Sequence, residues 1–409
     1  MKILYLHQYF TDPHRSPGGT RSYEIARRLA AEGHEVTFLT SSANLGESLL
    51  LKPGWNSYVK EGVHLEALRL PYSNEMPFTE RIKTFLQFAI RASLYVRKFK
   101  TDVVFATSTP LTIAIPALAA KFWHRIPMIF EVRDLWPEIP IAVGALRNPF
   151  TRSLARWLEK VAYRASAHVV ALSPGIAAGI MKRGIAKPRV SVIPNCCNVD
   201  LFDVPAEQGQ WVRGRFEMQP EQPLIVYTGA FGLVNGVGYL IDVAAAMLGI
   251  APEVRFLLVG EGAEEDKVKK KAERLDVLNR NLWIWPPLQK VRVPDLLAAA
   301  TLATSVFIPL KELWNNSANK FFDALAAGKP VAINYDGWQA DLIRKSGAGI
   351  VLPPDDAVQA ARLLYDFISD AERLKMAETA ARSLAIEEFN LDLLYAKFVG
   401  VLQNVVEKR

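Results

Sequence analysis

The chain opens with a unit that it then repeats. KILYLHQYF is a short apolar run, TDPHRSPGGT a Pro/Gly loop, RSYEIARRLAAEGH a stretch of helical spacing and EVTFLTS a second apolar run. Apolar runs of strand length, separated by a loop and a helix, build a parallel sheet with helices packed over it. VHLEALRL, DVVFATS, PMIFEV and AHVVALS continue the series, and after residue 220 it restarts with PLIVYTGA, VRFLLVGEG, LWIWPP, ATSVFIPL, PVAINY and GIVLPP. A chain of 409 residues can bury more than one core, so the repetition predicts two doubly wound α/β domains in tandem. The join falls in the polar stretch PNCCNVDLFDVPAEQGQ, giving domains at 1–200 and 201–385 and a last helix at 386–409. Such sheets bind ligands beyond the carboxyl ends of their strands, and two facing domains would hold a site in the cleft between them.

Charge is distributed unevenly over this frame. Residues 1–200 carry 26 Lys and Arg against 15 Asp and Glu, a net +11, whereas residues 201–409 carry 23 against 27, a net −4. A basic half suits nucleic acid, anionic lipid or a phosphorylated substrate alike. FTERIKTFLQFAIRASLYVRKFK (78–100) interleaves apolar and basic residues on a helical period with Glu80 its only acid. It reads either as an interfacial helix or as a surface helix turned to its own sheet. RNPFTRSLARWLEKVAYRA (147–165) has the same character and strengthens the case for anionic lipid. No uninterrupted apolar span is long enough for a bilayer core, and MKILYLHQYF is too short and strand-like for a signal peptide, which together predict a cytoplasmic chain. Cys196 and Cys197 are adjacent, a spacing that suits neither a disulfide nor a closed zinc site, so both are expected as free thiols.

Several loops carry chemistry. Gly18 and Gly19 end the first loop just before a helix, where backbone N–H groups favour an anion, although a plain tight turn uses the same residues. TGAFGLVNGVG, from Thr228, has the spacing of a short-chain dehydrogenase fingerprint, but it lies mid-chain and no Tyr-x-x-x-Lys pair exists for the proton chemistry. A phosphate-facing turn is what remains of that reading. FEVRDLWPEIP, from Phe130, puts Glu131, Arg133, Asp134 and Glu138 at the end of a buried strand. Charges there are costly unless paired or used; an Arg–Asp pair shaping the loop and a functional cluster are the two readings, and the position favours function. NNSANKFFDALAAGKPV (315–331) places Lys320 and Asp323 at the mouth of a helix of mostly small or apolar residues. There is no Asp-x-Asp, His-Glu-x-x-His or Gly-x-Ser-x-Gly, and of six scattered histidines only His7 and His14 flank the first loop. A metal cluster and a serine triad therefore lack support.

Taken in order, SPGGTRSYEIARRLAAEGHEVTFLTS, VIPN (192–195), LLVGEG (257–262) and FFDALAAGKPV (321–331) resemble the family 4 glycosyltransferases. These are retaining enzymes of the GT-B fold, with two Rossmann-like domains. EVRDLWPE and the Asn319-Lys320 pair are similar to the bacterial subgroup that extends lipid-linked oligosaccharides for O-antigen, capsule or exopolysaccharide. The resemblance implies a nucleotide-diphosphate sugar, UDP with an N-acetylhexosamine on family habit, held by the second domain. It implies a polyprenyl-diphosphate-linked acceptor held by the first, with no metal and no cofactor beyond the donor substrate. Of the family's two glutamates seven residues apart, the second falls at Asp323, where it would hold the ribose, and the first at Asn315. The arginine and lysine that neutralise the diphosphate fall at Ala230 and Asn235, and the histidine near the donor sugar at or beside Arg133.

With both loop charges missing, Lys320 and Arg133 are the replacements, helped by backbone N–H groups at Gly232 and at the helix expected to start near Ser317. The catalytic set is then Arg133, Asp134, Glu131 and Lys320. The donor set is Gly18, Gly19, Gly232, Asn315, Ser317, Asn319, Lys320 and Asp323, while His14 and Glu138 orient the acceptor. The acceptor hydroxyl would enter from the face the diphosphate leaves. The basic first domain would hold the enzyme at the inner face of the cell membrane, and the last helix would cross back to it. A sugar-nucleotide 2-epimerase of the same fold is the alternative; a basic nucleic-acid-binding protein fits the two-domain pattern poorly.

Overall fold

A computed structural model describes residues 1–45, 52–72, 76–219 and 221–408. Two compact units result: Met1–Pro194 with Asn315–Ser317 and Leu394–Arg409, and Asn195–Trp314 with Ala318–Leu393. The division thus falls at Pro194 rather than at 200, and the returning segment begins at Leu394 rather than at 386. The reason lies in the polar stretch, which is tied to the second unit. Cys197 N–H donates to the Phe389 carbonyl, and its thiol donates to the Phe322 carbonyl at 3.2 Å. Neither Cys196 nor Cys197 is in a disulfide.

The first unit is built on β1 (Lys2–Leu6), β2 (Glu35–Ser41), β3 (Trp55–Lys60), β4 (Val63–Leu68), β5 (Val103–Thr107), β6 (Met128–Val132), β7 (His168–Ala171) and β8 (Val190–Val192). Their order is β3-β4-β2-β1-β5-β6-β7-β8, parallel except for the β3–β4 hairpin. That hairpin closes through Glu61 (φ 48°) and Gly62 (φ 78°), the left-handed pair a two-residue turn of twisted strands requires. The central strands read as continuous apolar runs because both faces are covered. Tyr5 stacks on Phe38 at 4.5 Å on one side, where Phe398 of the C-terminal helix Leu391–Glu407 meets Phe105 at 4.8 Å. Leu4, Val104, Ala106 and Phe130 face the other layer, with Phe88, Ala117 and Tyr163 from three helices.

Those three helices are Phe78–Tyr95, Ala114–His124 and Pro149–Ala165. The first turns one face to its own sheet and leaves apolar residues on the other. Phe85, Phe88, Ala89 and Ala92 enter the core, whereas Leu86, Ile90 and Leu94 point outward, Ile90 being 60% exposed. Phe150, Leu154 and Trp157 are likewise exposed on Pro149–Ala165, at 75%, 52% and 59%. No helix among the described residues is long and apolar enough to cross a membrane.

The second unit has six parallel strands: β9 (Leu224–Thr228), β10 (Arg255–Val259), β11 (Leu282–Trp285), β12 (Leu302–Ser305), β13 (Val331–Ile333) and β14 (Gly349–Val351). Their order is β11-β10-β9-β12-β13-β14. In each sheet the first strand of its series sits between neighbours whose connections leave in opposite directions: β1 between β2 and β5, β9 between β10 and β12. Loops diverge at such a point and leave a crevice beyond the strand's carboxyl end.

Candidate functional site

In the first unit the crevice gathers a buried polar chain. The Arg133 guanidinium donates to Ser22 Oγ and to Thr107 Oγ1, both at 2.8 Å. Ser22 Oγ lies 2.9 Å from His7 Nδ1. Ser22 Oγ accepts from the guanidinium and keeps both its proton and a second lone pair, so it can pair with Nδ1 in either tautomer of the ring. Burial, reinforced by Arg133, holds the His7 pKa well below the ordinary range, so this ring stays neutral. Thr107 in turn donates to Glu131 Oε1 at 2.7 Å. Arg21, the first residue of the helix Arg21–Ala31, donates to Glu131 Oε2 through Nε (3.0 Å) and Nη2 (2.8 Å), and to the Pro194 and Ile193 carbonyls.

This network engages part of the expected catalytic set. Glu131 is fully buried among Arg21, Arg133 and Thr107. Desolvation pushes its pKa up, but the two arginines overcome that and hold it below the usual carboxylate range. Both of its oxygens are thus engaged within the unit, Oε2 by Arg21 and Oε1 by Thr107 and Arg133. Glu138 begins the short helix Glu138–Ala142 and pairs through Oε1 with Arg183 at 2.5 Å and Arg156 at 3.7 Å, while its buried Oε2 has no hydrogen-bond partner among the described residues. Asp134 is half-buried, accepts from Thr109 Oγ1 at 3.4 Å, and is pushed up in pKa by burial. His14 is exposed, its backbone N–H on Asp12 Oδ1 at 3.0 Å. Gly18 has φ 117°, a conformation that strains other residues, and it leads with Gly19 into the helix at Arg21.

The second unit's crevice holds Lys320. Lys320 Nζ donates to Asn235 Oδ1 at 2.9 Å and to Tyr227 Oη at 3.2 Å, and lies over the Tyr227 and Phe307 rings at 4.7 and 4.9 Å. Tyr227 Oη donates to the Ala230 carbonyl at 2.9 Å. Lys320 therefore brings its ammonium to the Ala230–Asn235 loop, the two positions where the sequence lacks charge. With only neutral partners around it, desolvation lowers its pKa to about 7. Gly232, partly exposed, opens the turn Leu233–Asn235 in the same loop.

The helix carrying Lys320 is Asn319–Ala326, so it starts at Asn319 rather than near Ser317; Ala318 precedes it and offers no side-chain cap. Asp323 is paired through Oδ2 with Lys290 Nζ at 2.5 Å. Burial pushes the Asp323 pKa up even against that lysine. Asn315 and Ser317, expected with the donor, group instead with the first unit. There the Asn315 carbonyl accepts from Ser173 Oγ at 2.6 Å, and its side chain packs so closely on Gly175 that a Cβ would stand 1.7 Å from Asn315 Oδ1. Among the described residues no three His, Cys, Asp or Glu side chains form a metal-sized group.

Comparisons with known proteins agree with this fold. The model of the glycosyl transferase 4-like domain matches residues 18–196, and that of glycosyl transferases group 1 matches residues 212–384. Among curated relatives, the D-inositol 3-phosphate glycosyltransferase of Streptomyces scabiei is 24% identical over 92% of this chain and 84% of its own length. The alpha-maltose-1-phosphate synthase of Mycolicibacterium smegmatis is 22% identical over 66% of this chain and 71% of its own. Among solved structures, sucrose-phosphate synthase of Thermosynechococcus elongatus superposes with a TM-score of 0.79 at 16% identity, covering the whole of both chains. Anabaena HepE, solved with UDP and glucose, gives a TM-score of 0.74 at 18% identity over 99% of this chain and all of its own. Fold and domain matches define a glycosyltransferase of the GT-B fold, a class that takes its sugar from a sugar nucleotide. Within that class the two domain models together cover most of the chain, and it belongs to the family 4/group 1 glycosyltransferases.

Proposed function

We propose that the protein moves a sugar, an N-acetylhexosamine, from a UDP-linked donor to a polyprenyl-diphosphate-linked saccharide, with retention and without a metal, in bacterial surface-polysaccharide synthesis. The observation that carries the donor half is Lys320 Nζ at 2.9 Å from Asn235 Oδ1. An ammonium held only by neutral groups beside a glycine-rich loop lacks an anion, and a diphosphate supplies one. The uncapped first turn of Asn319–Ala326, with Asn319 at its start, adds N–H groups of the same polarity. Asp323, fixed by Lys290, keeps Oδ1 for the ribose hydroxyls.

In this reaction the C1–oxygen bond to the diphosphate breaks as the acceptor oxygen bonds C1 on the same face. The acceptor proton passes to the departing phosphate oxygen, and Lys320 stabilises the charge that develops there. In the first unit, neutral His7, with Ser22 donating to Nδ1, offers Nε2–H to a sugar hydroxyl; Arg133 holds that serine, and Asp134 is the nearby carboxylate. Membrane association rests on the exposed Leu86, Ile90, Leu94, Phe150, Leu154 and Trp157 set among basic residues. The deciding experiment is a thermal-shift panel of UDP, GDP, ADP and their sugars, followed by transfer assays with a polyprenyl-diphosphate saccharide. UDP compounds should raise the melting temperature and turnover should need the acceptor. Consumption of the UDP-sugar without acceptor would favour epimerisation, and a response to GDP or ADP alone would overturn the donor assignment.

A further inference from the structure

The first unit contains a groove of about 950 Å³ that the transfer reaction does not use. Its walls include the segments that lead into three strands: Ile126 and Pro127 before β6, Ala167 and His168 at β7, Pro188 and Arg189 before β8. It therefore lies at the amino-terminal edge of the sheet, the edge opposite the Arg133 crevice. Lys121, Arg125, Arg189 and Lys408 line it, and no Asp or Glu does among the described residues. Its apolar wall is Leu118, Phe122, Val161 and Val405, with Phe122 79% exposed.

Part of this charge has a structural use. Lys121 Nζ donates to the Ala165 carbonyl at 2.6 Å and Arg189 to the Ser166 carbonyl, so both serve the carboxyl end of the helix Pro149–Ala165. Arg125 and Lys408 pair with no carboxylate among the described residues, and both are exposed. His168 registers the resulting field: burial, then Arg189 and Lys408, lower its pKa. The apolar wall is also not local. Val161 continues the helical spacing of Phe150, Leu154 and Trp157, so an exposed stripe runs along the helix into the groove.

An acid-free ring of cations above an apolar wall, open to an apolar stripe, matches a molecule with an anionic head and an acyl tail. We infer that the groove binds one anionic phospholipid, its phosphate between Arg125 and Lys408 and its chain along Phe122, Val161 and the Trp157 stripe. The lipid source rests on the membrane reading above, while the site is independent of the sugar chemistry.

The test uses the full-length protein and short-chain lipids below their micelle concentration, titrated by calorimetry. Dihexanoyl phosphatidylglycerol should saturate at one per chain, with dihexanoyl phosphatidylcholine and inorganic phosphate each at least about tenfold weaker. Arg125→Asn with Lys408→Glu should weaken phosphatidylglycerol about thirtyfold, from two basic contacts of about 1 kcal/mol each. Asparagine is chosen because Arg125 has φ 51°, which it tolerates, and an unchanged melting temperature checks the fold. UDP binding should be unaffected, which separates this site from the transferase reading. Leu86→Ser with Ile90→Ser, outside the groove, should reduce flotation with anionic vesicles yet keep the one-to-one stoichiometry, which separates it from diffuse adsorption. Equal binding of phosphatidylcholine, a lack of saturation, or inorganic phosphate binding as tightly as the lipid would each overturn the inference.

Discussion

The two crevices solve opposite electrostatic problems. In the first unit every charge of the chain Arg21–Glu131–Thr107–Arg133–Ser22–His7 meets a partner that compensates or accepts it. In the second, Lys320 meets a tyrosine, an asparagine and two rings, none of them charged. The same sheet topology thus carries a closed network in one half and an open valence in the other. A saturated buried network fixes geometry; an unsaturated cation waits for a counter-charge.

Breaking the closed network should have the largest effect. Glu131→Gln keeps the shape but leaves Arg21 and Arg133 as uncompensated buried charge, which costs about 3–5 kcal/mol. Urea denaturation should show that loss, and a variant as stable as the wild type would mean the network is not closed. Lys320→Met should behave in the opposite way. Turnover should fall about a hundredfold as for loss of an oxyanion donor, whereas stability should hold or rise, because an apolar group replaces a desolvated amine. Near-normal turnover would remove Lys320 from the diphosphate.

How far these differences could be read in advance follows the physics of each signal. The alternating strand and helix runs located both sheets because burial on two faces writes itself as continuous apolar segments. β3, WNSYVK, was not read, since an edge strand buries little; the Glu61-Gly62 turn was the available cue. Lys320 was legible because Ala230 and Asn235 lacked expected charges and one lysine stood nearby in the fold. Arg21 and Lys290 were not, since their partners Glu131 and Asp323 lie 110 and 33 residues away and no periodicity marks a buried ion pair. Glu131 and Glu138 stand out in the sequence because they follow a strand end, but sequence does not reveal that Arg21 and Arg183 pair with them.

A third, smaller effect sharpens the open valence. Lys320 has a folded pKa of about 7 against 10.5 for an ordinary lysine, so between those values the folded chain binds fewer protons here than the unfolded one. This group's contribution to stability therefore rises with pH across that window. A bound diphosphate restores the charge, so UDP binding takes up a proton and its affinity should fall by up to about tenfold per pH unit above pH 7. Calorimetry at pH 8 in buffers of different ionisation enthalpy measures the uptake directly. Lys320→Met should abolish it, and uptake that persisted in the variant would assign the proton elsewhere.

The smallest effects come as a matched pair, one hydroxyl from each crevice, each worth about 1 kcal/mol. Ser22→Ala removes the oxygen that accepts from Arg133 and pairs with His7 Nδ1. It should lower stability by that amount, and because nothing then supplies Nδ1 with a proton donor, the nitrogen resonances of His7 should shift toward a mixture of tautomers. UDP affinity should not change. Tyr227→Phe removes the oxygen that accepts from Lys320 Nζ and donates to the Ala230 carbonyl, loosening the ammonium and the loop that would face the diphosphate. Its loss should therefore appear as a several-fold weaker UDP with unfolding nearly unchanged. If both hydroxyls instead moved stability alone, the two crevices would be alike, and the open valence assigned to Lys320 would be no more than a buried lysine at rest.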